Sequence, residues 1–382
     1  MPLHHHWTPE DQGFWQGQGR GIARRKLRQS IPALTLAFAV GLMWSVVVVH
    51  LPAAGFHYST NQLFWLSALP ALSAATLRLF LQALALPQVG GGRLPALATA
   101  SLLLPVLGAG FAMQDPSTPY EWMVVLALLC GLGGGNLARA LAARIGRGSP
   151  AQARAGFAEQ AVIFTRKHNW LMSWLCLGGL GSFIGFSAGL PLLLQSQFPP
   201  SGAGQAVWLG PLLGGSMLPV GSWLAGRVGA ARVSLWAFVA LALGVGGLLL
   251  GLPQAVASGH AGHPAGFLAG FALLFAASGI ATGSTLAMIE AIFPAERQRA
   301  ASPLPSAQAR ALQDGRLEAA AVLGFASAIG TYGGFVIPKS LGSALALTGS
   351  PAAALWAFIA FYVSCIGITW WQYGRRHAAM PC

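Results

Sequence analysis

Ten stretches of this chain run for about twenty or more residues with almost no charged side chain, and a water-soluble fold has no place for them. They lie near 31–53, 61–87, 94–113, 121–143, 169–195, 204–226, 231–252, 264–289, 318–346 and 351–373. At about 1.5 Å per residue each can cross a hydrocarbon core of about 30 Å. Lipid offers no partner to backbone N–H and C=O groups, so a spanning segment must satisfy them internally, as a helix does. None of the ten has the two-residue alternation of a barrel strand. The expected fold class is therefore all-α, a polytopic membrane protein of about ten transmembrane helices. The first 30 residues are polar and basic and lead into a full-length span, which predicts no cleavable signal peptide.

Composition agrees with lipid as the solvent. Apolar residues make up 55% of the chain and charged residues 8%. Fifty glycines suit the close helix approach that drives association in lipid, and thirteen tryptophans suit interfacial anchoring. A net charge of +13 would suggest nucleic acid in a soluble protein. Here the cations cluster in short connections between spans, so no nucleic-acid partner is expected. The N-terminal segment carries Arg20, Arg24, Arg25, Lys26 and Arg28. Alternate connections carry Arg93, then Arg144, Arg147, Arg154, Arg166 and Lys167, then Arg227 and Arg232, then Arg297, Arg299, Arg310 and Arg316. The tail carries Arg375 and Arg376. The opposite connections, 54–60, 114–120, 196–203 and 253–263, carry none, and Lys339 is the one cation on that side. The positive-inside rule then places both termini in the cytoplasm of a multi-pass inner-membrane protein. The longest cytoplasmic connections are 144–168 and 290–317, the latter reading as a loop with a short helix.

Cysteine usage points to neither a disulfide framework nor a metal site. Cys130, Cys176, Cys365 and Cys382 are scattered without CxxC spacing, and His4, His5 and His6 stand alone near the terminus. No HExxH, Ser/His/Asp set or zinc spacing marks an enzyme, so no catalytic residue and no cofactor is expected.

One cation breaks the pattern. Arg78 stands alone within the second apolar stretch, and no Asp or Glu lies inside a neighbouring one. A guanidinium at membrane depth costs about 3 kcal/mol on insertion scales, and it keeps its proton under physiological conditions. A fixed cation without a carboxylate suits a mobile anion; capping by backbone carbonyls or water is the plainer alternative. Glu290 falls at the cytoplasmic end of its segment, so no carboxylate proton relay is visible within the spans.

Several strings resemble the nitrate/nitrite porter family of the major facilitator superfamily. They include Trp7-Thr-Pro-Glu-Asp-Gln-Gly-Phe-Trp15, the Leu77-Arg78 pair, and Gly131-Leu-Gly-Gly-Gly-Asn136. Two more are Gly181-Ser-Phe-Ile-Gly-Phe-Ser-Ala-Gly189 and the glycine-rich Gly324-Phe-Ala-Ser-Ala-Ile-Gly-Thr-Tyr-Gly-Gly-Phe-Val-Ile-Pro-Lys339. The resemblance implies a major facilitator-type helical bundle that moves nitrate and nitrite anions by alternating access, most simply by exchange. It also implies a division of the chain. Residues 1–30 form a cytoplasmic segment and 31–147 an incomplete N-terminal half of four spans. Residues 148–168 are a linker, 169–374 a complete half of six spans, and 375–382 a cytoplasmic tail. The family has twelve helices, and its fifth and sixth are missing here.

The family clamps its anion between two arginines. Arg78 matches the first, whereas Leu218 stands where the second is expected. Cys176 and Leu180 occupy positions of expected aromatics, and Gly226 replaces an acid beside Arg227. At about 4 Å and an effective dielectric near 20, one arginine attracts an anion by roughly 4 kcal/mol before desolvation is subtracted. Further candidate site residues are Asn136, as a donor or as helix glue, and Phe38 and Phe325, as walls beside a planar anion or as packing. Gly330 and Gly333, with Gly334, would allow close approach of a substrate or of a neighbouring helix. The alternative reading is a degenerate member that inserts without transporting alone, or that works only with a full-length homologous porter.

Overall fold

The computed structural model describes residues 13, 16–17, 21, 43–83, 93–145, 162–197, 209–252 and 264–375, with only the backbone course given at 81–83, 93–102, 133–145 and 264–265. All regular structure in the described residues is helical. After a helical stretch at 43–50 come α1 (Thr60–Ala83), α2 (Arg93–Ala112), α3 (Tyr120–Ile145), α4 (Lys167–Gln197) and α5 (Leu209–Val228). Then follow α6 (Ala230–Gly251), α7 (Pro264–Ala300), α8 (Pro305–Thr331), α9 (Gly333–Thr348) and α10 (Ala352–Thr369). A short 3-10 turn, Val162–Thr165, precedes α4, and a π-helical turn, Trp370–Gly374, follows α10. Among the described residues six helical stretches are long and apolar enough to cross a membrane, with shorter apolar helices at Leu103–Ala112 and Tyr120–Leu132. The chain is a multi-pass helical membrane protein.

The helices form two packed groups. In the first, α3 lies against both α1 and α2. In the second, α7 packs on α6, α5, α8 and α4, while α4 also packs on α8 and α9, and α10 closes against α6. The groups meet where α1 lies along α9, with further contact to α8 and α4. Buried hydroxyls tie helices together in a medium where such bonds have few rivals. Ser73 donates to the Leu128 carbonyl at 2.8 Å, Ser234 donates to Ser284 at 2.8 Å, and Ser182 pairs with the Tyr362 hydroxyl at 2.6 Å.

The stretch read as one span at 318–346 falls within one apolar helical stretch, Pro305–Thr348, built from α8 and α9 joined through Tyr332. The Tyr332 N–H bonds the Ile329 carbonyl, three residues back, at 3.0 Å, so the turn tightens there without a sharp break. The stretch 290–317 is not a loop with a short helix. α7 runs on to Ala300 and α8 begins at Pro305, leaving only residues 301–304 irregular. Side chains hold these extensions. The Gln308 amide donates to the Gln298, Ala301 and Ser302 carbonyls at 3.2, 3.4 and 3.0 Å, which satisfies acceptors that a helix end leaves open. Glu318 on α8 accepts from Arg297 Nε on α7 at 2.7 Å and from Arg166 Nε at 2.8 Å. Arg166 also reaches Glu296 at 3.3 Å.

The two ends of the bundle differ in chemistry. One carries this ion-pair cluster. At the other, the connections before α1 and α3 pack on each other through tyrosines. Tyr58 donates to the Thr118 carbonyl at 2.9 Å and Tyr120 to the Gln62 carbonyl at 3.2 Å, with the two rings edge to face at 5.3 Å. Burial, with the Glu121 carboxylate second, raises the Tyr58 pKa and keeps that hydroxyl a donor.

Candidate functional site

α1 carries Arg78 into the contact between the two groups, and the geometry there runs along the whole seam with α8 and α9. At one end Lys339 Nζ donates to Ser343 Oγ at 2.9 Å and to Asn61 Oδ1 at 3.4 Å, over the Trp65 ring at 4.5 Å. Lys339 is thus met by dipoles and a π face, and no carboxylate pairs with it among the described residues. Trp65 then meets Phe335 edge to face at 5.5 Å. Gly334 gives room for the Ala71 methyl and for Ile184 of α4. Further along, the Thr76 and Tyr332 hydroxyls lie 3.0 Å apart. At the far end Arg78 Nη1 donates to Thr331 Oγ1 at 3.1 Å.

Arg78 is half-buried, and Thr331 is the one side chain bonded to its guanidinium among the described residues. Among the described residues its charge therefore has no anionic partner, and one of its five N–H groups is bonded. The Thr331 hydroxyl in turn donates to the Ser327 carbonyl at 2.8 Å. This arrangement can hold a small oxyanion by a charge-assisted fork.

The other expected site residues fall as follows. Phe325, 8% exposed, packs its ring edge to face against Phe164 at 5.1 Å and Trp170 at 5.7 Å. It stands six residues before Thr331, about 9 Å of helix rise. Gly330 and Gly333 are both close-approach positions for α4. A Cβ on Gly330 would lie 3.0 Å from the Cys176 carbonyl oxygen, and one on Gly333 would strike the Gly181 backbone. Cys176 and Leu180, where aromatics were expected, pack on Gly330 from α4. Asn136 lies on α3, with its side chain outside the described set, and Phe38 lies outside the described residues. Leu218 is half-buried on α5, its carbonyl pressed against Gly283 of α7. Beside Gly226, Arg227 stacks over the Trp223 ring at 4.2 Å.

Sequence reading missed Thr331, Thr76 and Tyr332. The signal was there: two adjacent hydroxyl residues interrupt the run of Gly330, Gly333 and Gly334, where small apolar residues would serve packing alone.

No family model matches the chain. Among curated proteins it is 34% identical to the nitrate/nitrite transporter NarU of Salmonella typhimurium, over 97% of this chain and 96% of that protein. It is 33% identical to NarU of Escherichia coli over the same shares. It is 28% identical to the probable nitrate/nitrite antiporter NarK2 of Thermus thermophilus, over 98% of this chain and 97% of that one. The alignment to the Salmonella protein spans 447 positions against 382 residues here, so at least 65 of its positions have no counterpart in this chain.

Proposed function

The chain belongs to the nitrate/nitrite porter family of the major facilitator superfamily, and on that premise we propose that it carries nitrate and nitrite across the cytoplasmic membrane by alternating access, with Arg78 as the central anion ligand. The observation that carries this reading is the half-buried Arg78 guanidinium at the contact of the two helix groups, bonded to a neutral hydroxyl and to no described carboxylate.

Nitrate and nitrite are planar and weakly hydrated, and the planar fork of arginine offers parallel N–H groups to two oxygens of one anion. The spans expose no Asp or Glu pair to carry a coupling proton, which favours exchange of one anion for another. We read the two helix groups as the two bundles that rock about a central site in such carriers, with 31–147 as a four-span first half and 169–374 as a six-span second half. The positions missing relative to the longer relatives are assigned to the fifth and sixth helices, at the 148–168 linker.

The test is nitrate uptake into proteoliposomes holding this chain alone. Uptake is expected in the wild type and its loss in Arg78→Ala. Arg78→Lys should recover little of it, because the charge remains without the fork. Leu218→Arg should strengthen nitrate binding if α5 faces the same cavity. Uptake unchanged in Arg78→Ala overturns the assignment.

A second reading is favoured by Leu218 in place of the second arginine and by the shorter chain. In it the protein works only beside a full-length homologous porter. Uptake that appears only on co-reconstitution with such a porter would select it.

A further inference from the structure

The bond from Arg78 to Thr331 has a direction. A guanidinium has no acceptor, so Thr331 accepts from it, while the single Thr331 hydroxyl proton goes to the Ser327 carbonyl at 2.8 Å. A hydroxyl held this way does not offer a proton to an arriving anion. It holds one amino group of the arginine.

Thr331 is itself held firmly. It is 5% exposed, in the last turn of α8, between Gly330 and the tightened turn at Tyr332. Gly330 lies close against the Cys176 carbonyl and Gly333 against the Gly181 backbone, so α4 fixes this turn from behind. From the front, α1 bonds it twice: Thr76 meets Tyr332, and Arg78 meets Thr331. Two side chains of α1 thus engage two consecutive residues at the junction of α8 and α9.

We propose that Thr331 is a positioning residue that fixes the plane of the Arg78 fork, so that the site prefers planar two-oxygen anions over spherical ones. The inference rests on Arg78 being the anion ligand, as argued above. An arginine side chain without such a tether must lose its rotational freedom when the anion binds, and a tethered one has lost much of it already. The advantage is specific to anions that need the fork aligned. A halide attracted by the charge alone makes no demand on the plane of the guanidinium.

The experiment compares nitrate and chloride binding to the purified full chain, with tryptophan fluorescence as the readout, in wild type, Thr331→Val and Thr331→Ser. Valine keeps the branched shape and removes the acceptor; serine keeps the hydroxyl. The expected result is a nitrate Kd raised about five- to tenfold in Thr331→Val, with chloride affinity unchanged and nitrate binding restored in Thr331→Ser. A structural defect would weaken both anions together, and that outcome would overturn the positioning role, as would a nitrate Kd equal to wild type in Thr331→Val. Absence of nitrate binding in the wild-type chain would instead overturn the transport reading, and this inference with it.

Discussion

Gly333 of α9 faces Gly181 of α4 with so little space that a methyl on either would meet backbone: one on Gly181 would lie 2.9 Å from the Gly330 carbonyl oxygen and 3.1 Å from the Gly333 Cα. Backbone cannot swing aside as a flexible side chain can, so the helices must separate. Gly333→Ala is expected to destabilise the protein by about 1–3 kcal/mol, read as a lower midpoint of thermal unfolding in detergent, whereas Gly226→Ala, with nothing near it, should leave the midpoint unchanged. An unaltered midpoint in Gly333→Ala would contradict the packing role. The glycine-rich string leaves substrate approach and helix approach both open for this residue, and its surroundings on α4 are those of close helix approach.

The helical extensions of α7 and α8 form one unit with the turn that enters α4. Glu318, with a side chain 6% exposed, accepts from Arg297 and Arg166, whose side chains are 37% and 28% exposed. Glu318→Gln would leave two guanidinium groups facing a neutral amide. The expected loss is about 1–3 kcal/mol, below that for a fully buried pair because both arginines reach solvent. Thermal unfolding monitored by size-exclusion fluorescence checks it, and a midpoint equal to wild type would mean the cluster adds nothing to stability. The proline at 294 and the polar run after it read as loop signals, yet α7 continues through both. Gln308 lies six to ten residues from the carbonyls it holds, but Glu318 meets Arg297 across 21 positions and Arg166 across 152, so no local window contains the ion-pair cluster.

Across the whole molecule, the tyrosine-packed end, whose connections 54–60 and 114–120 carry no Lys or Arg, and the ion-paired end are expected to face opposite sides of the membrane, with the ion pairs in the cytoplasm. Single cysteines test this. Phe56 is only 3% exposed, so its exposed neighbour His57 is the better outer probe, and Ala309, exposed at the start of α8, is the inner one. The described native cysteines Cys130, Cys176 and Cys365 are buried and should contribute little background. An impermeant maleimide added to intact cells should label His57→Cys and spare Ala309→Cys. The reverse pattern would invert the topology.

Helix content, the lipid environment and the expected orientation follow from the sequence itself, because hydrocarbon imposes one rule on every backbone group and because cations mark one side of each span. Arg78 was legible for the same reason: an isolated charge is conspicuous where charge is costly. What surrounds Arg78 was not. Thr331 lies 253 positions away, and its hydroxyl meets the guanidinium only because α1 lies along the α8–α9 span at one register. A guanidinium can only donate, and the Thr331 proton goes to the Ser327 carbonyl one turn back in the same helix, so the direction of that bond is set locally. Which hydroxyl stands opposite Arg78 depends on how α1 lies against α8, and only the tertiary structure decides that.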